Sequence, residues 1–127
     1  MFEEDLMTFV KGQSPAPAGG RLYPLRLPQD PTLPAMTYGR LSAPRDRTLD
    51  GVTGRVRARI RFHIWADGFK AARTLAETMR QLFKDYSGTM GFTTVNAVSL
   101  EGEADQRDPD TGTYHTILDF MFTYKET

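Results

Sequence analysis

Residues 55 to 65 read Arg55-Val56-Arg57-Ala58-Arg59-Ile60-Arg61-Phe62-His63-Ile64-Trp65. Side chains along a strand alternate between its two faces, so Val56, Ala58, Ile60, Phe62 and Ile64 point one way. Arg55, Arg57, Arg59, Arg61, His63 and Trp65 point the other way. An apolar strand face needs a cover, and one follows at once. Phe69, Ala72, Leu75, Ala76, Met79, Leu82 and Phe83 recur at spacings of three and four, the stripe of an amphipathic helix. Asp67 is placed to cap that helix and Ser87-Gly88 to close it. A second strand of the same kind runs from Tyr114 to Tyr124. It sets Tyr114, Thr116, Leu118, Phe120, Phe122 and Tyr124 on one face and His115, Ile117, Asp119, Met121 and Thr123 on the other.

Working outward, Phe92 to Leu100 reads as a strand with Val98 and Leu100 on one side and Val95 and Ala97 on the other. Ala35 to Leu41 reads as a strand just after Pro34, where proline is tolerated. Ser42 to Gly54 and Glu101 to Gly112 lack periodicity and read as long, charged loops joining strands. Near the start, Phe2, Leu6, Phe9 and Val10 form the stripe of a short helix with acids in its first turn, and Gly12 is its stop. Pro24, Pro28, Pro31 and Pro34 prevent a helix between Arg21 and Pro34, so that stretch is expected to run extended. The expected fold class is α+β: a mainly antiparallel four-stranded sheet with one long amphipathic helix packed on one face and a short N-terminal helix. Residues 1–127 form one expected domain, made of the helix at 1–12, a Pro/Gly-rich extended segment at 13–34 and an α+β core at 35–127.

The chain's 127 residues include 16 basic and 16 acidic ones, so the net charge is zero. Balance of this kind argues against a protein whose main task is to coat nucleic acid or an acidic membrane. The charges are nevertheless segregated. Nine arginines lie between Arg21 and Arg61 against Asp30, Asp46 and Asp50, whereas Glu101, Glu103, Asp105, Asp108 and Asp110 face Arg107 alone. Opposite patches on a neutral chain suit a head-to-tail contact between identical copies; solvated loops are the alternative. No stretch of 18 apolar residues occurs, and the N-terminus opens with acids where a secretory leader would carry basic residues. Membrane spanning and secretion are therefore not expected. The absence of cysteine excludes disulfides and thiolate chemistry.

Catalytic groups are few. Only two histidines are present, and no serine sits in a nucleophile elbow. His63 and His115 lie on the polar faces of their strands and would be neighbours if those strands pair, either as a surface cross-strand pair or as the start of a metal site. Asp108-Pro109-Asp110-Thr111-Gly112 is a fragment of a calcium loop, but its third acid is missing and a turn is the better reading. The arginine row could meet phosphates at roughly 6.6 Å intervals, yet Trp65 alone offers little stacking.

Four segments, taken in order, resemble a known family. They are Arg21-Leu22-Tyr23-Pro24, Pro28-Gln29-Asp30-Pro31-Thr32-Leu33-Pro34, Phe62-His63-Ile64-Trp65-Ala66 and Tyr114-His115-Thr116-Ile117-Leu118-Asp119-Phe120. The sequence is similar to the tail completion, or tail terminator-like, proteins of long-tailed bacteriophages and phage-derived particles, over about residues 6 to 124. His63, His115 and the arginine-rich strand depart from the family's usual pattern.

The resemblance implies a structural, non-enzymatic virion protein without cofactor or metal. It would form a homo-oligomeric ring, usually a hexamer, at the head-proximal end of the tail and end polymerisation of the tail tube. Its implied partners are the tail tube protein and the head-neck or connector proteins, with DNA passing through the ring without specific binding. Residues proposed for subunit and partner contacts are Arg45, Arg47, Asp50, Arg55, Arg57, Arg59, Arg61, Glu101, Glu103, Asp105, Asp108 and Asp110. Alternatives are another neck ring protein, a nucleic-acid-binding module using Arg55 to Arg61, or a small enzyme using His63, His115 and Asp119.

Overall fold

The computed structural model describes residues 2–13, 16–42, 45–48 and 51–125, with the backbone alone for 42, 45–48 and 51–54. The alternating stretch lies within a strand of 16 residues, β4 (Gly51–Ala66). Along β4, Arg55 to Ala66 pair one-for-one with Lys125 to Tyr114 of the antiparallel strand β7 (Tyr114–Lys125). Because both strands alternate in phase, Ala58, Ile60, Phe62 and Ile64 share a face with Phe122, Phe120, Leu118 and Thr116, and all eight are buried.

Two helices cover this face. The first, α1 (Phe2–Lys11), buries Phe2, Leu6 and Val10; Phe2 stacks on Tyr124 with ring centroids 4.2 Å apart. The second, α2 (Phe69–Phe83), buries Ala72, Leu75, Ala76, Met79 and Phe83. Phe83 is the keystone aromatic, with ring centroids 5.2 Å from Phe120, 5.1 Å from Phe122 and 6.1 Å from Phe62. Phe69, read from sequence as part of the stripe, is 55% exposed and touches Tyr114 edge-on. Asp67 does not cap α2: the N-cap is Gly68, without a side-chain bond. Nor does Ser87-Gly88 close it. The helix ends at Phe83, and Asp85 takes the left-handed turn conformation at φ 53°.

The expected four-stranded antiparallel sheet with one long helix is overturned. A single mixed, curled sheet follows the order β1-β2-β4-β7-β6-β5, and β3 also pairs with β4. The remaining strands are β1 (Leu22–Pro24), β2 (Ala35–Ser42), β3 (Arg45–Thr48), β5 (Gly88–Met90) and β6 (Thr93–Arg107). β1 runs parallel to β2, which makes the sheet mixed. β1 and β5 are three residues each, too short to carry a visible alternation. The supposed loop at Ser42 to Gly54 contains β3 and the first residues of β4, paired as Thr48 with Gly51 and Arg45 with Val56.

The supposed loop at Glu101 to Gly112 is largely strand, because β6 continues to Arg107 before a turn at Asp108 to Gly112. Two register shifts hid it. The register against β7 slips between Val95 and Ala97 and again between Leu100 and Gly102, which leaves Asn96 and Glu101 as extra residues. Each extra residue reverses the alternation. Val95 and Val98 therefore face the core together, and beyond Glu101 the core side is taken by Glu103 and Asp105, opposite Leu118 and Thr116.

Phe83→Ala should lower the unfolding free energy by about 3–5 kcal/mol, and Phe69→Ala by less than about 1 kcal/mol. Urea denaturation of the two variants measures both; equal losses would contradict the packing described for α2.

Candidate assembly interface

The sheet face turned away from the helices carries the arginine row. Arg61 lies opposite Asp119, and the two side chains form a forked pair, with Nε 2.7 Å from Oδ1 and Nη2 3.0 Å from Oδ2. Arg59 reaches the same carboxylate at 3.5 Å. Asp119 is buried, and its hydrogen bond with Arg61, ahead of the charges of Arg61 and Arg59, holds its pKa below the usual carboxylate value. One carboxylate thus serves two arginines of the row. Arg55 and Arg57, opposite Lys125 and Thr123, are exposed.

Further along the same face, His63, His115 and Trp65 form a stack. His63 Nδ1 and His115 Nε2 are 2.7 Å apart, a hydrogen bond in which one neutral ring donates to the other. Trp65 lies over His115 at 3.9 Å with the planes 9° apart. Burial lowers both imidazole pKa values, and Arg61 and the other ring push in the same direction for His63 and His115 respectively. No third ligand joins them: among the described residues no group of three or more histidine, cysteine or carboxylate side chains could hold a metal.

The acidic residues divide. Glu103 and Asp105, turned to the helix side by the bulge at Glu101, bind α2. Arg73 Nη1 is 3.2 Å from a carboxylate oxygen of each, and Arg80 Nη1 is 3.4 Å from Glu103. Asp105 also accepts from Thr116 at 2.8 Å. Glu101 accepts from Ser99 at 3.1 Å and is exposed. Asp108 caps its own turn by accepting from the Asp110 N–H at 2.9 Å, while its carbonyl accepts from Gly112 N–H at 2.8 Å. Arg45 and Arg47 stand in β3, but their side chains, and Asp50 altogether, lie outside the described residues.

The expected interface set is therefore not one patch. Arg59 and Arg61 meet Asp119, Glu103 and Asp105 meet α2, Arg55, Arg57 and Glu101 lie on the exposed surface of the sheet, and Asp108 and Asp110 form a turn at its end. Arg73 and Arg80 were missed from sequence. Their seven-residue spacing places them on one helix flank, which was a usable signal once an acidic partner strand was known.

A family model described as tail completion protein gp17 matches residues 6–125. A chain from a solved structure of the virion of a native gene transfer agent particle superposes with a TM-score of 0.73 at 12% identity. That match covers 94% of this chain and 90% of the other. A second solved structure reaches a TM-score of 0.56 at 15% identity, covering 99% and 91%. No curated protein matches the sequence.

Two outcomes follow from the face opposite the helices. Asp119→Asn should cost about 1–3 kcal/mol, since it leaves two arginines facing a neutral amide in a half-buried site. Both imidazole pKa values are depressed in the folded chain. The unfolded chain therefore takes up those protons first as pH falls, and stability should decline below about pH 6.5 until the folded rings protonate. Urea midpoints measured from pH 7.5 to 5 check this, and the double variant His63→Gln, His115→Gln should flatten the slope; an unchanged slope would contradict it.

Proposed function

The chain belongs to the tail completion protein gp17 family, structural proteins of the virion tail, and from that membership we propose that it closes the head-proximal end of the tail as a ring of identical subunits. The observation that carries this reading is the family match across residues 6–125, nearly the whole chain. The likeness in fold to a protein of a gene transfer agent virion supports the same setting.

A tube grows by repeating one contact between successive rings. A terminal ring that offers the tube's complement on one side only stops further addition, and its free side can receive the neck beneath the head. The work is mechanical and needs no reaction. Two arginines of the row are already matched by Asp119, which supports a role in assembly over one in gripping nucleic acid. Six copies in the ring, contact with the tube protein on one side and with neck or connector proteins on the other, and passage of DNA through the centre complete the proposal.

Particles produced without this chain should yield separate heads and tails by electron microscopy, and the purified protein added back should restore joining. Normal joining in its absence would overturn the proposal.

A further inference from the structure

The edge of the sheet at β6 is incomplete. β6 has 15 residues, and β5 pairs only with Thr93, Thr94 and Val95, so Asn96 to Arg107 has β7 on one side and no strand on the other among the described residues. That is roughly 40 Å of strand at the usual rise. Half of its backbone N–H and C=O groups face outward, a template for another strand.

Two features say what fits there. Glu101 is exposed on this edge and pairs with no cation among the contacts described above, whereas Glu103 and Asp105 beside it are paired with Arg73 and Arg80 of α2. Beside it runs a shallow groove of about 340 Å³ between α2 and β6, lined by Phe83, Val98, Leu100 and Phe120 and also by polar and charged side chains that include Arg80 and Lys84; Leu100 is 40% exposed. At the opposite side of the sheet, β3 pairs with β4 along one edge, and no strand occupies its other edge among the described residues. β3 reads Arg45-Asp46-Arg47-Thr48 and is net basic. Two β6 edges brought together would add no cation for Glu101, whereas β6 against β3 offers it a net basic strand.

We propose that β6 of one copy takes β3 of the next copy as its missing neighbour, so that the sheet continues from subunit to subunit. The contact uses unlike surfaces, and such contacts close into rings when the rotation per subunit permits. This inference rests on the ring reading above and adds the contact that builds it.

The chain has no cysteine, so introduced ones meet no native thiol of the same chain. Ala97, Ala104 and Gln106 are exposed positions along β6. Each, changed to cysteine together with Arg47→Cys, is oxidised mildly in assembled particles. At least one double variant should give a ladder of covalent multimers, and a mixture of the matching single variants should stop at dimers. Normal copy number with no ladder from any pair, or efficient cross-linking of Ala104→Cys alone, would overturn the edge contact while leaving the ring intact. One copy per particle, counted by quantitative mass spectrometry on unmodified particles, would overturn the ring and the contact together. As a second readout, Arg45→Glu with Arg47→Glu should cut incorporation at least tenfold, with recovery on adding Glu101→Arg; undiminished incorporation of the first variant counts against the proposal.

Discussion

The pairing of β4 with β7 is the constraint on which the rest depends. Twelve successive residue pairs, Arg55 with Lys125 through Ala66 with Tyr114, lock two alternating patterns in one phase. A slip of one residue would send either Ile60 and Phe62 or Leu118 and Phe120 to the opposite side, and in the first case put arginines beneath Phe83. The same phase brings Asp119 between two arginines and sets His63 beside His115. Core and outer face are thus two consequences of one register. The helices add area to the apolar side, but they could not choose it.

What was legible in the sequence follows from this. The helical stripe ending at Phe83 and the strands around Phe62 and Phe120 were readable because each repeats its pattern over at least ten residues without interruption. β1 and β5 offer three residues apiece and contribute no period. β6 failed for a different reason. Its pattern is strong in three short phases, separated by Asn96 and Glu101, and a reader who assumes unbroken alternation sees a strand ending at Leu100 and a charged loop after it. Asp67 misled because a good capping residue stood one position before the actual N-cap, Gly68.

The candidate interface was legible only as composition. Segregated charge was real, yet segregation along the chain does not mean separation in space. β6 carries Glu103 and Asp105 to Arg73 and Arg80, and β7 carries Asp119 to Arg59 and Arg61, so much of the apparent complementarity is met inside one subunit. The contacts between α2 and β6 tie the helix to the outermost long strand, where there is little apolar area to do so. The family match gives the setting for this chain; its charges alone would have fitted a solvated surface as well as an assembly.

The bulge at Glu101 makes the chain's history subject to parity. Beyond it, every side chain of β6 is assigned to a side by counting from that single extra residue, and the count shifts if a residue is gained or lost further along the strand. A lineage may lengthen or shorten this strand by two residues and keep its acids toward α2. Loss of Glu101 itself would remove the bulge and leave Glu103 opposite Leu118 in plain alternation, whereas loss of Ala104 would turn Asp105 outward. Beyond the bulge, insertions and deletions in this part of the gene should thus be filtered by whether they are odd or even, a form of selection that acts on number rather than on the chemistry of any residue.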